Sequence, residues 1–216
     1  MDESLTKKEL ITESGIVGVM RAESSEKLLS VAEALKEGGV NCIEVAMTTP
    51  NALKVIEEVS SKMNDVLVGA GTVLDAETAR AAILSGAEYL VSPTTDIGMI
   101  EMANRYDKVV TPGAFTPSEI MRAWEAGADI VKVFPASQLG PSFISAVKSP
   151  LPQVSLMPTG GVSKENAADF IRAGADVLCV GSSLVDKESL ERGNYDKIRK
   201  NAELLVKEVR KGRSER

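Results

Sequence analysis

Four times along this chain, a helix-like segment passes through a glycine into an apolar run rich in β-branched residues. The four segments are EGGVNCIEV (37–45), LSGAEYLVS (84–92), EAGADIVKV (125–133) and RAGADVLCV (172–180). A glycine in this place is typical of a helix that ends in a left-handed cap. The glycines follow one another at intervals of 41 or 47 residues, about twice the length of one strand–helix unit, so another strand is predicted between each pair.

Eight short strands result when these intervening strands are counted. Their predicted positions are 16–21, 41–47, 66–72, 89–92, 108–112, 130–134, 154–158 and 177–181. Most of them are apolar on both faces, which is typical of a parallel sheet that is covered by helices on both sides.

Amphipathic segments fill the intervals between the predicted strands. Clear examples are 24–39, 49–62, 116–127 and 163–174, which open with a serine or with the pair Thr-Pro, both of which are helix-start signals. Strand and helix alternate eight times without a linker, which favours a closed barrel over an open doubly wound sheet. We therefore predict a single α/β domain over residues 1–216, a (β/α)8 TIM barrel with an extra N-terminal helix.

Composition and charge exclude several classes of protein. The formal net charge is −6 and there is no long basic run, so a nucleic-acid partner is not expected. No apolar stretch approaches the ~20 residues of a membrane span, and the polar N-terminal segment lacks the apolar core of a signal peptide. Cys42 and Cys179 each lie in an apolar run, which indicates reduced, buried thiols. We expect a cytoplasmic protein without a membrane partner.

Histidine is absent from the sequence, and this restricts the chemistry available to the chain. Histidine is the commonest general base and the commonest metal ligand. Because the only two cysteines are far apart in the sequence, no metal site is predicted. Acid–base chemistry must then come from carboxylates, lysine, tyrosine or water.

Lys132 interrupts an apolar strand in DIVKVFPAS, near the strand end at which a barrel carries its active site. Side chains alternate along a strand, so Ile130, Lys132 and Phe134 share one face. If that face points into the barrel, desolvation favours the neutral amine, which is a nucleophile towards carbonyl carbon. The alternative is a lysine that only neutralises a neighbouring carboxylate.

Glu44, in CIEVAM, is a second ionisable residue within an apolar strand and is the predicted neighbour of Lys132. Two such residues in one cavity form either a structural ion pair or an acid–base couple, and the cost of burying a pair favours the second interpretation. Arg21, at the end of the first strand, either binds an anion or pairs with Glu44.

Two glycine-containing loops favour a phosphate site. Gly160 and Gly161, in PTGGVSKEN, offer backbone N–H groups ahead of a helix predicted to begin at Ser163. Gly181 and Ser183, in VGSSL, offer a similar arrangement after the last strand. Barrels often bind phosphate between the loops that follow strands seven and eight, so the two loops together predict such a site.

Nine motifs in a consistent order resemble the class I 2-keto-3-deoxy-6-phosphogluconate / 2-keto-4-hydroxyglutarate (KDPG/KHG) aldolases. They lie within about residues 15–200 and are VMRA, IEVAMTTP, VGAGTVL, VSPTTD, TPGAFTPSEI, VKVFPAS, LGPSFISAVKSPLP, MPTGGVS and VGSSLV. The resemblance implies a Schiff-base lyase of the Entner–Doudoroff route that uses no cofactor and no metal. It also implies a homotrimer whose ligands are pyruvate and a phosphorylated keto acid.

The reaction that the resemblance implies is reversible cleavage of 2-dehydro-3-deoxy-6-phosphogluconate (KDPG) to pyruvate and glyceraldehyde 3-phosphate. A second implied reaction converts 4-hydroxy-2-oxoglutarate to pyruvate and glyoxylate. Activity on the epimer, 2-dehydro-3-deoxy-6-phosphogalactonate, is an alternative, because the sequence does not reveal which stereochemistry of the substrate hydroxyl group the site accepts. Two further hypotheses are a phosphosugar isomerase or epimerase on the same barrel, with Glu44 as base, and a phosphosugar-binding protein without catalysis.

The resemblance also implies roles for individual residues. Lys132 would form the Schiff base, and Glu44 would move protons through water. Arg21 and Thr72 would hold the pyruvyl carboxylate. They would be its main anchors in this chain, because Thr48 occupies a position at which some members carry arginine. The other substrate contacts, which would shape the pocket or bind the phosphate, are Pro93, Phe134, Thr159, Gly160, Gly161 and Ser183.

Overall fold

The computed structural model describes residues 5–23 and 26–216, in which strands and helices alternate. The strands are β1 (Ile16–Met20), β2 (Cys42–Ala46), β3 (Leu67–Gly71), β4 (Tyr89–Val91), β5 (Val109–Thr111), β6 (Gly113–Ala114), β7 (Val131–Val133), β8 (Leu156–Pro158) and β9 (Leu178–Val180). The helices are α1 (Lys7–Ser14), α2 (Leu28–Glu37), α3 (Ala52–Lys62), α4 (Ala76–Leu84), α5 (Ile97–Arg105), α6 (Pro117–Glu125), α7 (Gly140–Lys148), α8 (Ala167–Arg172), α9 (Lys187–Arg192) and α10 (Tyr195–Ser214). No helix within these described ranges is both long and apolar enough to cross a membrane.

The strands pair in parallel and form two hydrogen-bonded sheets. One sheet has the order β5-β4-β3-β2-β1-β9 and the other has the order β6-β7-β8. Backbone contacts join the two sheets on both sides. Thr159 forms a parallel bridge with Cys179, and the Asp129 amide donates a hydrogen bond to the Val110 carbonyl at 3.1 Å. The predicted α/β class with parallel strands is therefore confirmed.

Pro112, the last residue of the fifth predicted strand, separates β5 from β6, which lies beyond the predicted end. Proline has no N–H group to donate to a ladder, so the regular pairing is interrupted there. The Pro112 carbonyl still accepts a hydrogen bond from the Lys132 amide at 2.9 Å. The interruption therefore leaves the segment beside β7, next to the residue that carries the buried amine.

The two faces of the strands pack in different layers. Outward residues such as Ile43 and Val45 belong to a large apolar cluster that includes the buried sides of the helices. The inward residues form a second, separate cluster, and its members are Ile11 of α1, Val17, Cys42, Leu67, Tyr89, Val91, Val109, Ile130, Met157, Val177 and Cys179. We call the side of the strands that faces this second cluster the inner face.

The Thr-Pro signals open one helix but not the other. At α6, Thr116 is the N-cap of a capping box and Pro117 is the first helical residue, which confirms the prediction. At 49–50 the prediction is wrong, because α3 begins at Ala52 with Asn51 as its N-cap at a φ of 57°. Asparagine adopts this left-handed conformation more readily than most residues. Asn51, and not the Thr-Pro pair before it, therefore precedes the first residue of the helix.

The predicted helix start at Ser163 is also wrong. The helix α8 begins at Ala167, and its N-cap Asn166 makes no side-chain cap bond. Instead, the Ser163 amide donates to Oδ1 of Asn166 at 2.9 Å, and the Ser163 hydroxyl bonds to the Glu165 carboxylate at 2.6 Å. These bonds hold residues after Ser163 in a turn, so the loop after β8 is longer than predicted. The serine signal at position 24 lies outside the described residues.

Gly69 in β3 gives the Tyr89 ring its space on the inner face. A Cβ atom at Gly69 would lie 2.4 Å from this ring, which is fully buried. Gly69→Ala should therefore lower the free energy of unfolding by about 1–3 kcal/mol, as in other overpacked cores, and urea denaturation measures this. Gly98→Ala is the matched control because its Cβ would meet an ordinary contact at 3.4 Å. Equal losses in the two variants would contradict the prediction.

Candidate active site

Lys132 lies in the middle of β7 with its side chain on the inner face. It is 6% exposed, and its partners in register are Gly113 of β6 and Met157 of β8. Ile130, two residues earlier, belongs to the inner cluster, and Phe134, two residues later, is 37% exposed. The Nζ atom of Lys132 lies 5.0 Å from the centroid of the Phe134 ring. The lysine therefore points inward, as the alternation of side chains predicts.

Glu44 in β2 is 2% exposed and also points to the inner face. Its Oε2 atom accepts a hydrogen bond from the Cys179 thiol at 3.5 Å. Its Oε1 atom lies against Gly71, and a Cβ atom added to this glycine would be only 1.6 Å from Oε1. Lys132 and Glu44 both lie near the Cys179 thiol, because the charges of both influence the pKa of this thiol.

No ion pair within 4.0 Å includes Lys132, Glu44 or Arg21 in the described part of the chain. The structural ion pair of Lys132 with Glu44, which the sequence leaves open, is therefore not formed. The same holds for a pair of Arg21 with Glu44. Lys132 and Glu44 are thus both buried on the inner face without a direct ion pair between them.

Arg21 and Thr72 meet where β1 and β3 end. The Nη2 atom of Arg21 donates a hydrogen bond to Oγ1 of Thr72 at 3.4 Å, and the guanidinium is exposed. Thr72 has a φ of 59°, which is costly for a β-branched residue and is found mostly at functional positions. Thr48, which follows β2, is exposed. A cation and a hydroxyl group therefore lie together at the C-terminal ends of the strands.

Pro93 and Thr159 lie next to the strands that carry the ionisable residues. A Cβ atom at Gly113 would be 2.2 Å from the Pro93 carbonyl oxygen, so the loop after β4 covers the register partner of Lys132. Thr159 is 8% exposed, and its hydroxyl donates to the backbone carbonyl two residues earlier at 3.2 Å. Its backbone pairs with Cys179, the residue in contact with the acid.

Gly160, Gly161 and Ser183 lie in two loops that contact each other. The Ser183 hydroxyl donates to the Val162 carbonyl at 2.5 Å, which ties the loop after β9 to the loop after β8. Gly160 and Gly161 have φ values of 87° and 77°, which residues other than glycine rarely adopt. Within the described residues, the backbone N–H groups of Gly160, Gly161 and Ser183 have no acceptor. The two loops therefore offer several unused donors to an anion.

Three protonated polar side chains share the inner face with Glu44. Burial raises the pKa of the Cys179 thiol, and the Glu44 carboxylate raises it further. Burial also raises the pKa of Cys42 to about 11 and the pKa of Tyr89 well above its usual value. Each of these groups therefore keeps its proton at neutral pH. In residues 5–23 and 26–216, no cluster of three or more Cys, Asp and Glu side chains could hold a metal ion.

Gly71, Tyr89 and Cys179 belong to this site although the sequence analysis does not assign them to it. In the sequence, the cysteine is typical of an ordinary buried thiol, and Gly71 lies within the predicted strand 66–72 without a sign of function. The signal that could identify Cys179 is strand alternation, which places its side chain on the same face as that of Val177. The contacts of Cys179 and Gly71 with Glu44 depend on which strands lie side by side, and one strand's sequence does not contain that information.

Comparison with known proteins identifies a family. A family model described as "KDPG and KHG aldolase" matches residues 7–201. The KHG/KDPG aldolase of Escherichia coli K12 is 34% identical over 199 residues, which cover 91% of this chain and 93% of that protein.

Two solved structures are similar over nearly the whole chain. The first is a KDPG aldolase from Legionella pneumophila with pyruvate captured as a covalent carbinolamine intermediate (TM-score 0.86, 26% identity, 94% of this chain and 98% of that one). The second is a cube-shaped protein cage designed by fusing symmetric oligomeric domains (TM-score 0.85, 30% identity, 93% of this chain and 74% of that one). With a family model and a relative that both span most of its length, the chain belongs to the KDPG and KHG aldolase family.

Proposed function

We propose that this aldolase, a carbon–carbon lyase, works by the class I mechanism and cleaves KDPG to pyruvate and glyceraldehyde 3-phosphate. We also propose that it cleaves 4-hydroxy-2-oxoglutarate to pyruvate and glyoxylate. The observation that carries the proposal is Lys132, an amine that is 6% exposed and has no carboxylate within 4.0 Å among the described residues. Charge neutralisation does not explain a lysine in this position, whereas Schiff-base chemistry does.

The relatives support both the mechanism and the substrates. The Legionella enzyme holds pyruvate as a carbinolamine, the covalent adduct that precedes a Schiff base. The Escherichia coli relative is named for both KHG and KDPG. A phosphosugar isomerase or epimerase would need Glu44 to work with a second acid, and the chain has no histidine to supply one.

The proposed cleavage begins when the Lys132 amine adds to the C2 ketone and water leaves, which gives an iminium ion. Glu44 accepts the proton of the C4 hydroxyl group, and the electrons of the breaking C3–C4 bond move to the iminium nitrogen. Glyceraldehyde 3-phosphate leaves, and an enamine remains on the lysine. Protonation at C3 and hydrolysis of the iminium then release pyruvate and restore the free amine.

Arg21 and Thr72 are proposed to hold the carboxylate next to the reacting ketone. Their side chains are already joined by a hydrogen bond of 3.4 Å, so both can face one anion. The guanidinium has no carboxylate partner within 4.0 Å in the described residues, and it can donate to both oxygens of a carboxylate. Thr48 lacks a charge, so Arg21 supplies the cation that some family members place at that position.

Gly160, Gly161 and Ser183 are proposed to bind the substrate phosphate, while Pro93, Phe134 and Thr159 shape the pocket. Support for the phosphate site comes from the unused backbone N–H groups of the two loops. A Cβ atom at Gly160 would lie 3.4 Å from the Phe134 ring, so this loop lies against the segment that follows Lys132. Binding at the phosphate, away from the reacting carbons, would orient C2 towards the amine.

We propose that the two parallel sheets close into a complete (β/α)8 barrel, with α1 as the extra N-terminal helix. The bridge of Thr159 with Cys179 and the hydrogen bond of Asp129 with Val110 support this closure, because they join the sheets on both sides. We also propose that the protein works in the cytoplasm, where buried free thiols such as Cys179 stay reduced.

A homotrimer is proposed as the working assembly. The designed cage that resembles this chain was built by fusing symmetric oligomeric domains. Two large apolar side chains near α6, Phe115 and Trp124, are 41% and 39% exposed. Exposed aromatic residues of this kind are enriched in the cores of subunit interfaces.

Trapping with borohydride tests the Schiff base directly. Incubation with pyruvate and borohydride should inactivate the enzyme and leave a reduced pyruvyl adduct on the peptide that contains Lys132, as measured by peptide mass. Chelator should leave activity unchanged, because the lysine activates the ketone. Lys132→Ala should lower kcat by at least about 1,000-fold, and Lys108→Ala is a control for a lysine outside the site. Full activity in Lys132→Ala, or proton exchange without trapping, would contradict the mechanism.

A charge at Ser183 tests the phosphate site. Ser183→Asp should raise KM for KDPG about 30-fold, because two like charges would lie close together. It should raise KM for 4-hydroxy-2-oxoglutarate much less, because the second carboxylate of that substrate is attached directly to C4 and does not extend as far as a phosphate on C6. Ser183→Asn has nearly the same shape as the aspartate variant without the charge, so it serves as the control. Steady-state kinetics with both substrates measures the effect. A similar rise for the two substrates would show that the loop acts on something other than phosphate.

The assembly is tested by light scattering in solution. The unmodified protein should give three times the chain mass of 22.9 kDa. Trp124→Glu should lower this mass by placing a charge in an apolar interface. Leu84→Glu is the control, because Leu84 is an exposed apolar residue (69%) on a different helix, α4. A monomer mass for the unmodified protein would refute the trimer.

A further inference from the structure

We propose that Cys179 is a positioning residue for Glu44: its thiol donates a hydrogen bond that fixes the carboxylate in the orientation needed for proton transfer. This inference rests on the proposed class I reaction, in which Glu44 accepts the proton of the substrate hydroxyl group. Cys179 itself touches no reacting atom in this scheme. It acts only through the carboxylate.

The contact joins two strands that are not neighbours. Cys179 lies in β9 and Glu44 in β2, and β1 lies between these strands in the sheet. The Sγ atom nevertheless comes within 3.5 Å of Oε2, because both side chains point to the inner face and cross over β1 there. Both residues are at most 2% exposed, so water does not compete for this contact from bulk solvent.

The thiol can serve only as a donor in this contact. Burial raises the pKa of Cys179, and the Glu44 carboxylate raises it further, so the sulfur keeps its hydrogen. A carboxylate oxygen is an acceptor. Among the described residues, this thiol is the one protein group that donates a hydrogen bond to Glu44. The orientation of the carboxylate therefore depends on Cys179.

The two oxygens of Glu44 consequently have different surroundings. Oε2 is held by Cys179, whereas Oε1 lies beside Gly71, where no side chain competes for the space. Gly71 directly precedes Thr72, which the proposed function assigns to the substrate carboxylate. Oε1 is thus the oxygen on the substrate side, and it remains free to accept a proton. A glutamate free to rotate would lose this distinction.

Cys42 provides a matched control inside the same fold. It is also a free thiol on the inner face, it is 2% exposed, and burial raises its pKa to about 11. The hydrogen bond to Glu44, however, comes from Cys179 and not from Cys42, whose pKa responds to Ser14 instead. Replacing either cysteine by alanine removes the same volume from a buried position. Only the variant at Cys179 removes a donor from the acid.

The experiment compares Cys179→Ala, Cys179→Ser and Cys42→Ala in KDPG cleavage, with thermal unfolding to show that each variant is folded. Cys179→Ala should lower kcat about tenfold with KM within twofold, because the lost bond matters in the transition state. Cys179→Ser keeps a donor and should retain kcat within about threefold of the unmodified enzyme. Cys42→Ala should leave both parameters unchanged.

Several results would overturn the proposal. Unchanged kcat in Cys179→Ala would show that the thiol does not position Glu44. Equal losses in the alanine and serine variants, or an equal loss in Cys42→Ala, would show that packing and not hydrogen bonding matters. The borohydride trap on Lys132 keeps the two proposals separate. If the trap succeeds and Cys179→Ala is fully active, only this inference fails; if the unmodified enzyme is not trapped, the class I mechanism fails as well.

Discussion

The structure depends on keeping two ionisable side chains on the inner face of its strands without an ion pair between them. Lys132 and Glu44 are 6% and 2% exposed, and within the described chain neither has an oppositely charged group within 4.0 Å. Burying charges in this way costs stability, and a closer pair would recover part of the loss. In the proposed reaction, the amine must meet a ketone and the acid must meet a hydroxyl group, and an ion pair between the two residues would prevent both contacts.

Glycine provides the space that this arrangement requires. A Cβ atom at Gly71 would overlap the Glu44 carboxylate at 1.6 Å, and one at Gly113 would overlap the Pro93 carbonyl at 2.2 Å. Neither glycine has a left-handed backbone, so the reason for glycine is the close approach of a neighbour. Because these two glycines lack a Cβ atom, the Glu44 carboxylate can lie against β3 and the loop after β4 can lie against β6.

The sequence predicts the order of elements and the inward lysine, because periodicity and strand alternation are local properties. It does not predict what depends on contacts between strands. The hydrogen bond of Glu44 with Cys179, for example, depends on the strand order, in which only β1 separates the two strands that carry these residues. The predicted helix start at Ser163 is wrong for a related reason. Ser163 forms hydrogen bonds with Asn166 and Glu165 in a turn, and these bonds compete with its role as a helix cap.

The two ends of the proposed substrate would meet different kinds of donor, and this difference determines the direction of binding. A guanidinium can donate to both oxygens of a planar carboxylate, and Arg21 with Thr72 offers that arrangement. Backbone N–H groups from two loops suit the three oxygens of a phosphate, and Gly160, Gly161 and Ser183 offer these donors. A keto acid with a carboxylate at one end and a phosphate at the other would therefore bind in one direction. In that direction, C2 lies at the end nearer the carboxylate and C4 lies between C2 and the phosphate, which is the order that an amine and a separate base require.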